Sequence, residues 1–233
     1  MAQAGGPFVS VDNSFSCDRL RRSNPRHLPP RQHSQYSLAV FAVSSWTIDA
    51  TMNSMDRDLL ATDVNRACRL QGQFQLRSGQ LSHEYFDKYL FESDPQLLRR
   101  VCEAMVPLVP TDTDLLGGLE LGGIPLATVL SQLTGIPTLF VRKTAKTYGT
   151  CRLAEGPDIT GQTITLVEDV ITTGGAVRDA AQALRGAHGS VSTVICAINR
   201  STDPATVLSD VGLTVRTVLA KADLDRVRST AID

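Results

Sequence analysis

The residues with the most chemical potential lie in one stretch: Thr163-Ile164-Thr165-Leu166-Val167-Glu168-Asp169-Val170-Ile171-Thr172-Thr173-Gly174-Gly175-Ala176-Val177-Arg178. An apolar strand-like segment runs into two adjacent carboxylates, then a turn with two hydroxyls and two glycines, then a helix. Carboxylates accept hydrogen bonds from sugar hydroxyls and orient a magnesium ion through its waters. Glycine lets the backbone approach a ligand with no Cβ in the way. The amides and dipole at the start of the helix favour a phosphate, and Thr172 and Thr173 add hydroxyl donors. No Gly-Lys-Ser/Thr follows, so this is not the P-loop of nucleoside-triphosphate enzymes. Each feature alone also fits an ordinary capped strand end. The ordered run points to a sugar that carries a phosphate.

Four further segments carry candidate chemistry. Arg142, Lys143 and Lys146 put three cations in five residues just after a short strand, and Tyr148 follows them. Read alone they form a solvated charged loop; near a phosphate site they could neutralise a departing diphosphate. The segment 74–87 reads as strand, Ser78-Gly79 turn and second strand, a hairpin bearing Arg77, Tyr85 and Phe86. As plain structure, Tyr85 and Phe86 are core residues. Asn199-Arg200 ends another strand, where an arginine is usually solvated. Residues 119–127 join a strand to a helix through Gly122-Gly123, with no Lys or Arg among them.

The elements that must position these groups follow from periodicity. Residues 56–70 and 94–109 read as helices, with Pro95 suited to the first helical position of the second. Strands are expected at 114–121, 138–141, 163–167, 191–198 and 214–219. Helices are expected at 124–133 and 176–187. Val-, Ile- and Leu-rich strands alternating with helices predict an α/β fold, a doubly wound, mostly parallel sheet flanked by helices. Such sheets bind ligands beyond the carboxyl ends of their strands. Both carboxylates and Arg200 are therefore expected just past strand ends.

Composition sets the outer bounds. The 233 residues are 42% hydrophobic and 20% charged, with 23 Lys plus Arg against 24 Asp plus Glu. A near-neutral chain offers no general basic field for nucleic acid. No apolar run approaches the roughly 20 residues of a spanning helix, so no membrane partner is expected. Cys17, Cys68, Cys102, Cys151 and Cys196 are scattered with no CxxC pair, as expected of reduced thiols in a cytoplasmic protein. Residues 1–54 differ from the rest, with nine Ser, four Pro and five Arg against three Asp. They read as a disordered extension, or as an over-extended start, since Met52 and Met55 stand just before the patterned region. A transit peptide is the less favoured reading. Residues 55–233 then form the working domain, a small N-terminal hood at about 55–95 and a core at about 96–221.

The strand, acidic pair and Thr-Thr-Gly turn resemble the signature with which type I phosphoribosyltransferases bind phosphoribosyl pyrophosphate (PRPP). The resemblance implies that Glu168 and Asp169 hold the ribose hydroxyls and that residues 170–176 wrap the 5′-phosphate. The run Arg142-Lys143-x-x-Ala145-Lys146-x-x-Gly149 and the hood segment resemble those of orotate phosphoribosyltransferases, and the resemblance extends over about 56–221. It implies transfer of phosphoribosyl from PRPP to orotate, with Mg2+ held through PRPP and waters near the acidic pair and no direct protein ligand. It implies Lys146, Arg142 and Asp169 as catalytic. It further implies a homodimer in which the 142–156 loop carries Arg142, Lys146 and Tyr148 to the partner's PRPP, while Lys143 serves its own subunit. Arg77, Tyr85, Phe86, Thr172 and Arg200 would meet orotate, Arg200 gripping its carboxylate. Two positions depart from the pattern: Tyr148 stands where the family usually has His, and no lysine stands near Gly122. The alternatives are a phosphoribosyltransferase for another base, or a non-catalytic PRPP sensor of the same fold.

Overall fold

The computed structural model describes residues 52–75, 79–144 and 153–229. Helix α1 (Ser54–Cys68) starts where the Asn53 carboxamide accepts from the Asp56 amide at 2.8 Å. It leads into the antiparallel pair β1 (Arg69–Gln75) and β2 (Leu81–Phe86), a two-stranded sheet with Leu70 opposite Tyr85 and Phe74 opposite Ser82. A short helix α2 (Tyr89–Ser93) follows, then α3 (Pro95–Met105). Asp94 caps α3 by accepting from the amides of Gln96 and Leu97, with Pro95 at its first position as the sequence indicates.

The main sheet holds β3 (Leu115–Leu119), β4 (Thr138–Val141), β5 (Ala154–Glu155), β6 (Thr163–Ile171), β7 (Ser190–Asn199) and β8 (Thr214–Ala220), in the order β5-β4-β3-β6-β7-β8. Only the β4–β5 pairing is antiparallel. Helices α4 (Gly123–Thr134) and α5 (Gly175–Gly186) connect strands, and α6 (Lys221–Ser229) ends the described chain. The mostly parallel, doubly wound sheet is the expected architecture.

Alternation along the strands sends side chains into two cores. On one face Leu116, Val167, Ile195 and Ala197 pack with α1, α3, α4 and α6. On the other, Leu115, Leu119, Val194 and Cys196 pack with Val177, Ala181 and Leu184 of α5. Helix α1 thus packs into the core of the main sheet.

Glycines set how closely α4 approaches the sheet. A Cβ on Gly118 would lie 2.7 Å from the Gly123 carbonyl oxygen, and one on Gly123 would lie 2.3 Å from that of Val167. The start of α4 therefore lies directly against β3 and β6, which brings the 120–122 turn up to the acidic pair.

One expectation needs correction, and two elements join those expected. Strand β6 does not stop at Val167 but runs to Ile171, so Glu168 and Asp169 lie within its last residues, with Glu168 opposite Cys196 of β7 and Val170 opposite Ile198. The segment after the cations contributes the two-residue strand β5, for which no strand was expected. The chain past residue 221 forms α6, for which no helix was expected.

Candidate active site

At the carboxyl end of β6 alternation sends Asp169 inward, and its side chain is 1% exposed. Its Oδ1 accepts from the Val170 amide at 2.5 Å, and its Oδ2 forms an ion pair with the ammonium of Lys88, the residue just before α2. Burial acts to lower the Lys88 pKa, yet the hydrogen bond and charge of Asp169 hold it above the ordinary lysine value. Glu168 is half-buried, and its Oε2 has no hydrogen-bond partner. Glu92, one turn after Lys88, is buried with its Oε1 also unpartnered. Burial first, then the neighbouring Asp169, pushes both Glu168 and Glu92 up to about 8. Gly122 completes the cluster: a Cβ there would fall 1.7 Å from Asp169 Oδ2 and 2.6 Å from Glu92 Oε1. Only glycine lets the 120–122 backbone lie against these carboxylates.

The phosphate turn follows directly. Thr172 and Thr173 are exposed, and Gly174 adopts φ +73°, a left-handed conformation that favours glycine. Its Cβ position would also lie 2.6 Å from Leu208 Cδ2. Arg178, on the first turns of α5, donates to the Thr173 carbonyl at 2.6 Å and to the Val207 carbonyl at 2.5 Å, and pairs with Asp210 at 3.0 Å. The turn is thereby pinned to the 207–210 segment, with the first amides of α5 lacking intrahelical acceptors.

The base end is built from two sheets. The Arg200 amide donates to the Ile171 carbonyl at 2.8 Å. Buried Asn199 accepts from the Ser201 amide and hydroxyl at 3.0 and 2.6 Å, fixing the bend after β7. The Arg200 guanidinium stands over Phe86 at the end of β2. Tyr85, on the opposite side of the strand, packs instead on Phe74 with ring centroids 5.5 Å apart. The structure thus brings Phe86 to Arg200 and keeps Tyr85 within the hairpin.

Arg142 and Lys143 follow β4. The Arg142 amide donates to the Leu153 carbonyl at 2.9 Å, which ties the base of the loop to β5. The Lys143 amide donates to Glu120 Oε2 at 3.4 Å. Both side chains line a cleft of about 500 Å3 together with Glu120, Gly175, Ala176 and Asp179. Arg77, Lys146 and Tyr148 lie outside the described residues, as does the 145–152 part of the loop.

Lys88, Glu92 and Arg178 escaped the sequence reading. Arg178 closes the signature segment and was legible as a neighbour of the turn; Lys88 and Glu92 have no motif spacing to mark them.

Known proteins share this arrangement. The phosphoribosyl transferase domain family matches residues 96–211. An orotate phosphoribosyltransferase of Nocardioides sp. is 63% identical over 182 residues, covering 78% of this chain and 97% of its own. The chain belongs to the orotate phosphoribosyltransferase family. Among solved structures, the Mycobacterium tuberculosis H37Rv orotate phosphoribosyltransferase in complex with Fe(III) dicitrate superposes with a TM-score of 0.66 at 35% identity, covering 72% of this chain and 98% of that one. The same enzyme in complex with PRPP gives a TM-score of 0.62 at 32% identity, over 73% and 99%. As an orotate phosphoribosyltransferase fold, the chain carries its carboxylates on β6 and its exposed arginine after β7, at neighbouring strand ends.

Proposed function

We propose that this chain transfers the 5-phosphoribosyl group from PRPP to orotate, giving orotidine 5′-monophosphate and diphosphate. The carrying observation is the line of groups along adjacent strand ends: the Glu168–Asp169 pair, then the 172–176 turn, with Arg200 over Phe86 one strand away. Glu168 and Asp169 accept from the ribose hydroxyls, and the amides and hydroxyls of the turn seat the 5′-phosphate. The planar guanidinium of Arg200 suits the carboxylate of orotate, with Phe86 beneath and Thr172 close by. Arg77 extends this end of the site.

A ring nitrogen of orotate, its N–H proton given up to solvent, forms the new bond to the anomeric carbon as the bond to diphosphate oxygen breaks, the electron pair leaving with diphosphate. Charge grows on the leaving group and on the sugar together. Arg142, Lys143 and Lys146 meet the first, and the acidic carboxylates face the second. Tyr148 donates a hydrogen bond without adding charge. No covalent enzyme intermediate is involved.

Magnesium belongs to this reading through water. Among the described residues no cluster of three or more His, Cys, Asp or Glu is arranged to hold a metal directly. The unpartnered buried Oε2 of Glu168 fits a water-mediated contact. Glu168, with Asp169, would hold the ion's waters, and the bound ion neutralises diphosphate charge.

The active form is proposed as a homodimer, the 142–156 loop carrying Arg142, Lys146 and Tyr148 to the partner's site. Residues 55–233 are the catalytic unit in this reading, in line with the 97% of the Nocardioides relative that 182 residues span. The cytoplasm is the proposed compartment. Cys68, Cys102 and Cys196 are free and buried, and among the described residues no helix is long and apolar enough to cross a membrane.

The test is a side-by-side assay of orotate, uracil, adenine and hypoxanthine with PRPP and magnesium. Consumption of orotate alone supports the reading; consumption of a base without a carboxylate, or of none, contradicts it.

A further inference from the structure

We propose that Lys88 is a positioning residue for the ribose end of the site, holding the Asp169 carboxylate in place and tying it to the base end through residues 86–92. The proposal rests on the reading of Asp169 as a ribose acceptor.

The buried Asp169 carboxylate needs a partner, since an uncompensated buried charge is costly. Lys88 supplies it from a different part of the chain, while its own side chain stays 31% exposed, at the edge of the cluster rather than sealed within it. The lysine is held on both sides. The Asp87 amide donates to the Cys68 carbonyl at 2.8 Å, and the Asp87 carboxylate accepts from the Tyr89 amide at 3.1 Å. Phe91, three residues on, is fully buried. Two residues before Lys88, Phe86 lies under Arg200. One turn after it, Glu92 lies against Gly122 beside Asp169. A single short segment thus touches the base end, the ribose end and the 120–122 turn. Residues 119–123 carry no Lys or Arg, so the Lys88 ammonium is a positive charge brought from elsewhere in the chain to the turn and its neighbouring carboxyl groups, Glu92, Glu168 and Asp169, and among the described residues it is the one that pairs with Asp169.

Removing the ammonium leaves the buried Asp169 carboxylate without its ion-pair partner. Asp169 is then no longer held in the position in which it meets the sugar. A purely structural ion pair would, on removal, lower the melting temperature and treat both substrates alike. A positioning pair changes the response to PRPP.

The experiment compares steady-state kinetics and melting of wild type, Lys88→Met, Lys88→Gln, Lys88→Arg and Asp169→Asn. Lys221→Met, which breaks the exposed Lys221–Asp225 pair of α6, serves as the control with unchanged kinetics. The KM for PRPP is expected to rise about 10- to 100-fold in Lys88→Met and Lys88→Gln, with the KM for orotate within about twofold. Lys88→Arg is expected to recover most of the PRPP KM, because it restores the charge. If the methionine variant does not fold, the comparison of Gln with Arg carries the same test. A wild-type PRPP KM in a folded uncharged variant, while Asp169→Asn is impaired, overturns the proposal and leaves the site reading intact. An unimpaired Asp169→Asn overturns both.

Discussion

The guanidinium carbon of Arg200 lies 5.1 Å from the centre of the Phe86 ring, joining the end of β7 to the last residue of β2. Two sheets built from distant parts of the chain meet at this contact, which is the proposed base end of the site. Lysine in place of Arg200 keeps the charge but loses the planar fork and the stacked face. Arg200→Lys is expected to lower kcat/KM for orotate about 10- to 100-fold, while the KM for PRPP changes little. Kinetics with each substrate varied in turn check this; equal losses for both substrates would place Arg200 elsewhere in the reaction.

In the proposed reaction Lys146 acts where charge develops on the departing diphosphate. Lys146→Ala is expected to reduce kcat about 100- to 1000-fold, as loss of one preorganised transition-state donor does, with PRPP affinity held within a modest factor. Single-turnover rates and PRPP binding, measured together, separate the two effects. Wild-type turnover would remove the loop from catalysis.

Gly122 and Gly123 are expected to fail in different ways. A Cβ on Gly123 meets the Val167 carbonyl of β6, a backbone atom that cannot step aside. Gly123→Ala should therefore destabilise the fold by about 1–3 kcal/mol, read by denaturant unfolding. A Cβ on Gly122 meets the Asp169 and Glu92 side chains. Gly122→Ala should fold with a raised KM for PRPP. Unchanged PRPP kinetics in that variant would detach the 120–122 turn from the acidic pair.

Much of this was legible in the sequence because pattern and function coincide. Strands β3, β4, β7 and β8 lie close to the apolar runs that announced them; β3 and most of β7 are buried on both faces and so read as continuous apolar stretches. Strand β6 was cut short at Val167 because two carboxylates look like the start of a loop. In the fold their burial is offset by Lys88 and by pairing along β7, and the strand runs on to Ile171. Strand β5 was hidden by its two-residue length, and α6 by its polarity. Among the site residues, the acidic pair, the turn and Arg200 carried recognisable order. Lys88 and Glu92 did not, because only tertiary packing brings α2 beside β6. Tyr85 was grouped with Phe86 by adjacency, whereas strand alternation sends them to opposite sides.

The buried thiols give a check on the core that is independent of catalysis. Burial pushes Cys68, Cys102 and Cys196 up to about 12. At pH 8 only about one in ten thousand of each is thiolate, the reactive form. Treatment of the native protein with iodoacetamide at pH 8, followed by peptide mass mapping, should leave these three unmodified, and prior unfolding should expose all three. Stoichiometric labelling of any of them in the native protein would contradict the packing described.

In the proposed reading residues 1–54 lie outside the catalytic unit. Removal of residues 1–51 is expected to leave kcat and both KM values within about twofold, as for changes remote from a site. A large loss would assign the extension a part in the site.

The most direct measurement is a calorimetric titration of PRPP, with magnesium present, into the wild-type protein and into a Glu168→Gln/Asp169→Asn double variant. If the two carboxylates hold the ribose, the wild type binds PRPP and the double variant binds it at least about 100-fold more weakly, from two charged acceptors lost, while its melting shows it folded. Equal PRPP affinity in the two folded proteins would contradict the account at its centre.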